Sequence, residues 1–211
     1  MRLKTLLVGI ALISCTLPAA HAEGIKPNVD RNTIESASRE SGYVSLLSRF
    51  KSGETLPIQD MATVYYGSAL APGFNPDKRY DDVMTSYDSG NIAKAHELAA
   101  AALESDPTNL TLLFKAYASA AASTDPAVNT KASVYQSRLL QICDLILASG
   151  LGVTDSSPYI VVRPADMDEF LVKYIQPAQI VGKSKIGKLE AAKVVIDGVP
   201  DEVILYFNQF K

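Results

Sequence analysis

The stretch that decides the helical part of the fold is residues 80–122, YDDVMTSYDSGNIAKAHELAAAALESDPTNLTLLFKAYASAAA. Apolar residues recur at helical spacing through Tyr80–Tyr87, through Ile92–Leu103 and again from Leu110 onward, which predicts three successive helices. The breaks between them are rich in turn-forming residues and comprise Asp88-Ser89-Gly90-Asn91 and Asp106-Pro107-Thr108-Asn109. This order predicts a helical hairpin that leads directly into a further helix.

The hairpin resembles a tetratricopeptide repeat. Gly90, Ala95, Ala102 and Pro107 fall at the characteristic spacing of that repeat, where small residues let paired helices approach closely and the proline stops the second helix. One good copy is visible, whereas a solenoid needs about three repeats for stability. The sequence therefore predicts tetratricopeptide-like helical hairpins rather than a repeat array.

The hydrophobic period changes after Gly150. Short β-rich runs follow at 159–162, 179–181, 189–196 and 203–207, and the turn cluster at 197–201 predicts a hairpin between the last two. The last run has apolar residues on both faces, which predicts a strand covered on both sides. We expect an α+β fold, with a helical subdomain at 35–150 and a β-rich subdomain at 151–211 that packs on the helices as a small, mostly antiparallel sheet.

The first 22 residues have the pattern of a secretory signal peptide. Arg2 and Lys4 precede the mostly apolar run Leu6–Leu17, and Ala20-His21-Ala22 supplies small residues at a cleavage site before Glu23. The apolar run is shorter than the roughly 20 residues that span a bilayer. We expect an exported protein, periplasmic or extracellular, with a flexible lead-in at 23–34.

Cys15 offers an alternative at the same terminus. Leu12-Ile13-Ser14-Cys15 resembles a bacterial lipobox, in which the cysteine is acylated and becomes the mature N-terminus. Cleavage after Ala22 is favoured, because residues 16–20 stay apolar and small where a lipoprotein turns polar. Contact with a membrane is expected only if Cys15 is lipidated, which would make the chain an outer-membrane lipoprotein.

Composition argues against several classes of function. The formal net charge is −3, which argues against a nucleic-acid partner. Cleavage would leave Cys143 as the lone cysteine and His96 as the lone histidine, too few for the usual zinc sites. His96 also lacks a Gly-x-Ser-x-Gly partner for a serine triad. The sequence therefore indicates no cofactor and no metal, and favours a non-enzymatic protein.

The residues that point to binding surround a loop rich in glycine and proline at 66–76. Aromatic residues in such a loop suit peptide or glycan contacts, because they bury large areas at a low entropic cost. Packing of the same rings onto the helices is the alternative, which is favoured for Tyr65 and Phe74 and stays open for Tyr66 and Asn75. The candidate binding residues of this region are Tyr65, Tyr66 and Asn75.

A second candidate cluster is acidic. Asp166, Asp168 and Glu169 lie beside Arg163, and a glycosidase needs only two acids at a set separation. A solvated turn with ion pairs is the favoured alternative. Arg163, Asp166 and Glu169 complete the set of candidate binding residues.

Three blocks of the sequence resemble the DUF4919 proteins, a domain of unknown function described mainly from Bacteroidetes. The first is Leu46–Phe50 followed by Val64-Tyr65-Tyr66-Gly67 and Phe74-Asn75-Pro76, the second is Ser149-Gly150 leading into Tyr159–Val162, and the third is Leu205–Asn208. Family members often carry a His-Glu-Tyr-like element where this chain has 164–170. The resemblance implies an architecture and an envelope location, and no reaction.

These observations lead to one preferred function and two alternatives. We expect a non-enzymatic module of the bacterial envelope whose partner is a protein or a peptide. The alternatives are a hydrolase or glycan-processing protein that uses acids such as Asp166 and Glu169, and a lipid-anchored surface protein that begins at Cys15.

Overall fold

A computed structural model describes residues 26–40, 42–175 and 178–211. The predicted signal peptide, Cys15 and the first residues of the expected lead-in lie outside the described residues. None of the described helices combines the length and the apolar character that a bilayer crossing requires.

The α+β fold is confirmed, with helices first and a sheet last. The helices are α1 (Arg31–Arg39), α2 (Gly42–Lys51), α3 (Ile58–Gly67), α4 (Asp81–Asp88), α5 (Ile92–Ser105), α6 (Leu110–Ala121), α7 (Pro126–Asn129), α8 (Ala132–Ser149) and α9 (Pro164–Glu169). A 3-10 turn, Ser68–Leu70, follows α3, and a π-helical turn, Phe170–Tyr174, follows α9. The strands are β1 (Tyr159–Val161), β2 (Ala178–Ile186), β3 (Leu189–Ile196) and β4 (Val203–Gln209).

Helix α1 begins earlier than the sequence predicted. Residues 31–34, expected in the lead-in, are helical, and the side chain of Ile34 is completely buried. The physical reason is a cap: the Asp30 carboxylate accepts a hydrogen bond from the backbone N–H of Thr33 at 3.1 Å, which satisfies one of the orphan donors of the first turn.

The predicted hairpin of α4 and α5 is present and leads into α6. Gly90 turns the chain with a φ of 79°, a conformation that favours glycine. Asn91 and Asn109 cap α5 and α6, since their side-chain oxygens accept hydrogen bonds from the backbone N–H groups of Lys94 and Leu112. Turn chemistry that is visible in the sequence thus fixes both helix starts.

The strands of the described residues form one sheet in the order β1-β4-β3-β2. Strand β3 pairs antiparallel with both β2 and β4, whereas β1 pairs parallel with β4. The sheet is therefore mixed, and the mostly antiparallel expectation holds for its three C-terminal strands. The parallel pair joins β1 to the last strand, β4, and the chain between them passes through α9 and the β2–β3 hairpin.

One face of the sheet packs on the helices and the other does not. Ala192, Val194, Leu205 and Phe207 are buried on the inner face, where they join the hydrophobic core that the helices contribute. Ile204, on the other face of β4, exposes 44% of its surface. The expectation that β4 is covered on both sides was wrong at Ile204, where the second face of the strand is exposed.

Candidate functional site

A groove lies beside the glycine- and proline-rich loop. Its cavity volume is about 270 Å³, and it lies between α2, residues 71–80 and the end of α5. We call it the loop groove. Its lining includes three rings and two carboxylates, contributed by Tyr43, Phe74, Tyr80, Glu104 and Asp106.

Tight turns shape the loop that forms one wall. The backbone N–H of Phe74 donates to the Ala71 carbonyl at 3.1 Å, and Gly73 between them has a φ of 78°. The Asn75 side-chain oxygen accepts a hydrogen bond from the Asp77 N–H at 3.0 Å, an Asx turn typical of asparagine. These local bonds hold Phe74 at the groove with Asn75 exposed beside it.

Asp106 forms the floor of the groove and is anchored from behind. Its carboxylate makes an ion pair with the guanidinium of Arg163, which is buried. The Tyr80 hydroxyl donates to Asp106 Oδ2 at 3.1 Å, and Asn109 Nδ2 donates to the same oxygen at 3.0 Å. Three donors therefore fix a carboxylate whose side chain is 14% exposed.

Asp166 lies one layer deeper and is completely buried. Its Oδ2 accepts hydrogen bonds from the Tyr65 hydroxyl at 2.7 Å and from the backbone N–H of Arg163 at 3.1 Å. Arg163 Nη1 lies 3.7 Å from the same oxygen. The Tyr65 hydroxyl also accepts a hydrogen bond from the N–H of Val162 at 3.1 Å. We refer to Tyr65, Tyr80, Asp106, Arg163 and Asp166 together as the buried network.

Local sequence places these groups. Pro164 occupies the first turn of α9, where its missing N–H costs nothing. Asp166 lies in the same turn, so its carboxylate accepts a hydrogen bond from the backbone N–H of Arg163. A negative charge at this position is also stabilised by the helix dipole. Asp106 stands at the end of α5, immediately before the proline that stops it.

Burial dominates the electrostatics of the network. It raises the pKa of Asp166 to about 6, against the opposing effects of the Arg163 charge and of the hydrogen bonds that the carboxylate accepts. Burial also raises the pKa of Tyr65, and the Asp166 charge adds to that rise. The pKa of Tyr80 is raised by burial and by Asp106. Both tyrosines therefore stay neutral donors at physiological pH.

The groove in front of this network offers two kinds of contact. The rings of Tyr43, Phe74 and Tyr80 supply apolar surface, and Lys78 Nζ already lies 4.9 Å from the centre of the Tyr80 ring. The carboxylates accept hydrogen bonds from incoming donors. Concave sites with mostly apolar walls and a few fixed polar groups are typical of ligand binding.

Two of the predicted site residues lie inside the protein rather than on the loop surface. Tyr65 and Tyr66 are both completely buried, and the Tyr66 hydroxyl donates to the carbonyl of Ile160 at 3.1 Å. The alternative that these rings pack in the core, favoured for Tyr65 and left open for Tyr66, is the arrangement observed, since α3 turns both rings inward. Of the three candidate binding residues predicted around the glycine- and proline-rich loop, Asn75 lines the groove.

The predicted acidic cluster divides between two environments. Arg163 and Asp166 belong to the buried network, behind the groove. Glu169 is half-buried, and its carboxylate accepts a hydrogen bond from Thr111 near Lys173 and Lys115. Burial raises the pKa of Glu169. Asp166 and Glu169 thus engage different partners, and Asp166 has no exposed surface with which to contact a substrate.

The lone histidine and cysteine of the predicted mature chain lie away from the groove lining. His96 is 7% exposed and meets Tyr135 edge to face at 5.9 Å between ring centroids, and burial lowers its pKa. Cys143 is buried, which raises the pKa of its thiol. Within the described ranges, no group of three or more His, Cys, Asp and Glu side chains is placed to hold a metal ion.

Sequence reasoning missed part of the groove. Tyr43, Leu47 and Glu104 come from helices remote in sequence from the loop, and nothing in their local pattern connects them with it. The position of Asp106 was predictable in part, because an acid directly before a proline that ends a helix is held at the end of that helix. By itself, this pattern predicts the end of α5 and no contact with the loop.

Comparison with protein families gives one match, to the model described as "Domain of unknown function (DUF4919)", over residues 28–208. Neither the curated proteins nor the solved structures gave a match. The matched span includes the loop groove, the buried network, strands β1 to β3 and all of β4 except its last residue. The chain therefore belongs to the DUF4919 family.

Proposed function

We propose that this protein is an exported, non-enzymatic module of the bacterial envelope that binds a protein or peptide partner in the loop groove. The observation that carries the proposal is the groove itself, a cavity of about 270 Å³ lined by rings and carboxylates. Sites of this kind bind ligands when rigid elements hold their polar groups in place.

The buried network supplies that rigidity. Arg163, Tyr80 and Asn109 hold the Asp106 carboxylate at the floor, and Tyr65 and Asp166 connect Arg163 to α3. A peptide that enters the groove therefore meets an Asp106 carboxylate that needs no reordering on binding, which favours affinity. Asp106 and Glu104 accept hydrogen bonds from its backbone or side-chain donors.

The envelope location rests on the sequence. The basic start, the apolar run Leu6–Leu17 and the Ala20-His21-Ala22 site support export with cleavage after Ala22. Mass determination of the mature N-terminus tests this part separately. A chain that begins at Glu23 supports a free envelope protein, whereas a lipid-modified Cys15 shows that the chain is anchored.

Blocking the groove tests the binding site. Ser105 is exposed and lines the groove near the end of α5, whereas Ala101 is exposed one turn earlier on the same helix and lies outside the lining. We expect Ser105→Arg to abolish partner recovery in crosslinking pull-downs from the native envelope and Ala101→Arg to preserve it. Equal recovery with both variants, each shown to fold by circular dichroism, would place the binding site elsewhere.

A further inference from the structure

A second cavity lies on the inner face of the sheet, between α9 and the end of the β2–β3 hairpin. Its volume is about 40 Å³, and its lining shares no residue with the loop groove. We call it the basic pocket. Its lining includes three lysines and three buried apolar side chains, which are Lys185, Lys188, Lys211, Val161, Met167 and Phe207.

Strand register builds the basic pocket. Lys185 pairs with Glu190, and Glu190 pairs with Phe207, so the three side chains form one row across β2, β3 and β4 on the inner face. Gln209, two residues beyond Phe207, also lines the cavity, and its Nε2 donates to the Val162 carbonyl at 3.3 Å. The pairing of the strands therefore brings a cation, a carboxylate and an aromatic ring together at fixed backbone positions.

The charged side chains of the basic pocket are unbalanced. Lys185 Nζ lies 3.5 Å from Glu190 Oε1, and Glu190 is the one acid among the described lining residues. Lys188 and Lys211 are exposed and form no ion pair within 4.0 Å in the part of the chain that the structure describes. The formal net charge of the whole chain is −3, so this pocket is a local positive site on an acidic protein.

The base of the pocket is apolar. Val161, Met167 and Phe207 are almost completely buried and belong to the hydrophobic core. A volume of about 40 Å³ holds about three water-sized groups, which matches an alkyl group of about three carbons. An inorganic anion would lose hydration against this base and gain no apolar contact, whereas a neutral alkyl compound would leave Lys188 and Lys211 without an anion. The pocket therefore suits a ligand that combines a negative charge with a short alkyl group.

We propose that the basic pocket binds a carboxylate that carries a short alkyl group, with the alkyl group against Phe207 and the carboxylate among the lysines. Lysine ammonium groups donate charge-assisted hydrogen bonds to carboxylates. Because these lysines lie at an exposed rim, each ion pair contributes little, and the dissociation constant is on the order of 1 mM. A small organic acid and the C-terminal residue of a peptide share this chemistry. The site does not depend on the function proposed for the loop groove.

Heteronuclear NMR titration of the full chain, in the form that the cell produces, tests the proposal with butyrate and with acetyl-alanyl-valine up to about 20 mM. The expected result is a saturable shift of the backbone amide signals of Phe207 and Gln209 with at least one of them, and the tighter ligand identifies the source of the carboxylate. Butyramide lacks the charge and inorganic phosphate lacks the alkyl group, so each binds at least about fivefold more weakly. No saturation with either carboxylate, or equal affinity for butyramide or phosphate, overturns the proposal.

Two double variants of equal net charge locate the site. K188Q/K211Q removes the two lysines of the basic pocket that form no ion pair among the described residues, and K94Q/K193Q removes two exposed lysines outside its lining. Lys193 is a matched control, because it pairs with the exposed Ile204 on the opposite face of the same sheet. We expect the first variant to weaken binding of the tighter carboxylate at least about fivefold and the second to leave it unchanged. Thermal melts show that both are folded, and an equal effect of the two variants overturns the proposal.

Discussion

The hydroxyl of Tyr65 donates a hydrogen bond of 2.7 Å to the carboxylate of Asp166, across 101 positions of the chain. This bond joins α3 of the helical part to α9, which follows the first strand. The same hydroxyl accepts a hydrogen bond from the Val162 N–H. One phenol oxygen therefore satisfies two buried polar groups where the helices meet the sheet, directly behind the loop groove.

Replacing Tyr65 by Phe should cost more stability than the same change at Tyr66. Tyr65→Phe leaves the Val162 N–H and an Asp166 oxygen buried with one partner fewer, and we expect a loss of about 2–3 kcal/mol in the free energy of unfolding. Tyr66→Phe removes one bond to the Ile160 carbonyl and should cost about 1 kcal/mol. Urea denaturation of both variants measures the difference. Equal losses would show that the Tyr65 bonds do not connect the two parts.

Asp166 should make the protein more stable as the pH falls from 7 to 4. Its pKa is about 6 in the folded protein, through burial, and about 3.9 in an unfolded chain. Because the folded state binds the proton more tightly, this stabilisation is fully present below pH 4 and is lost as the pH rises through 6. The difference between the folded and unfolded pKa values corresponds to roughly 3 kcal/mol in the free energy of unfolding.

The variant Asp166→Asn isolates this effect. Its free energy of unfolding should lack the contribution from proton binding to Asp166. The stability of the natural chain relative to the variant should therefore decrease, or change sign, as the pH rises from 4 to 7. Chemical denaturation at a series of pH values checks this. A difference that is constant over the whole range would mean that the Asp166 carboxyl does not titrate there.

Removing the Arg163 charge should be strongly destabilising. Arg163→Met leaves Asp106 and Asp166 as partly or fully buried carboxylates without their cation, a change that typically costs 3–5 kcal/mol. As a control, Lys94→Met breaks an exposed ion pair with Glu97 on α5 and should change stability far less. Thermal and urea denaturation compare the two. Similar small effects would show that the ion pairs of the buried network contribute little.

Glycine at position 152 should be much less replaceable than glycine at position 198. Both have a positive φ, of 73° and 81°, so alanine is strained at either position by about 1 kcal/mol. At Gly152 an added Cβ would lie 2.1 Å from the Tyr159 ring, whereas at Gly198 it meets nothing within 4 Å. We expect Gly198→Ala to cost about 1 kcal/mol and Gly152→Ala several times more, and equal losses would contradict the close contact with Tyr159.

Much of the fold could be predicted from local signals. Gly90 and Pro107 mark the limits of α5, Asn91 and Asn109 cap two helices, and the turn at 197–201 forms the expected hairpin. Two features could not be predicted in this way. The parallel pairing of β1 with β4 depends on residues 48 positions apart, and the uncovered face of β4 depends on where the helices pack.

The candidate site was only partly predictable for the same reason. Composition drew attention to the aromatic loop and to Arg163 and Asp166, but it could not distinguish a ring that faces a partner from one that packs in the core. Tyr65 and Tyr66 have the same residue type as Tyr80, and α3 buries both of them. The contact between Arg163 and Asp106 spans 57 positions, so no local pattern indicates that the two groups form one network.

Site-specific photocrosslinking tests the central claim, that the loop groove receives a partner. A photoreactive amino acid replaces Asn75, which is exposed and lines the groove, or Ser133, which is exposed outside the lining. We predict that irradiation of intact cells yields a discrete crosslinked protein or peptide from position 75 and none from position 133. A position 75 that yields no adduct, or the same adducts as position 133, would contradict the account.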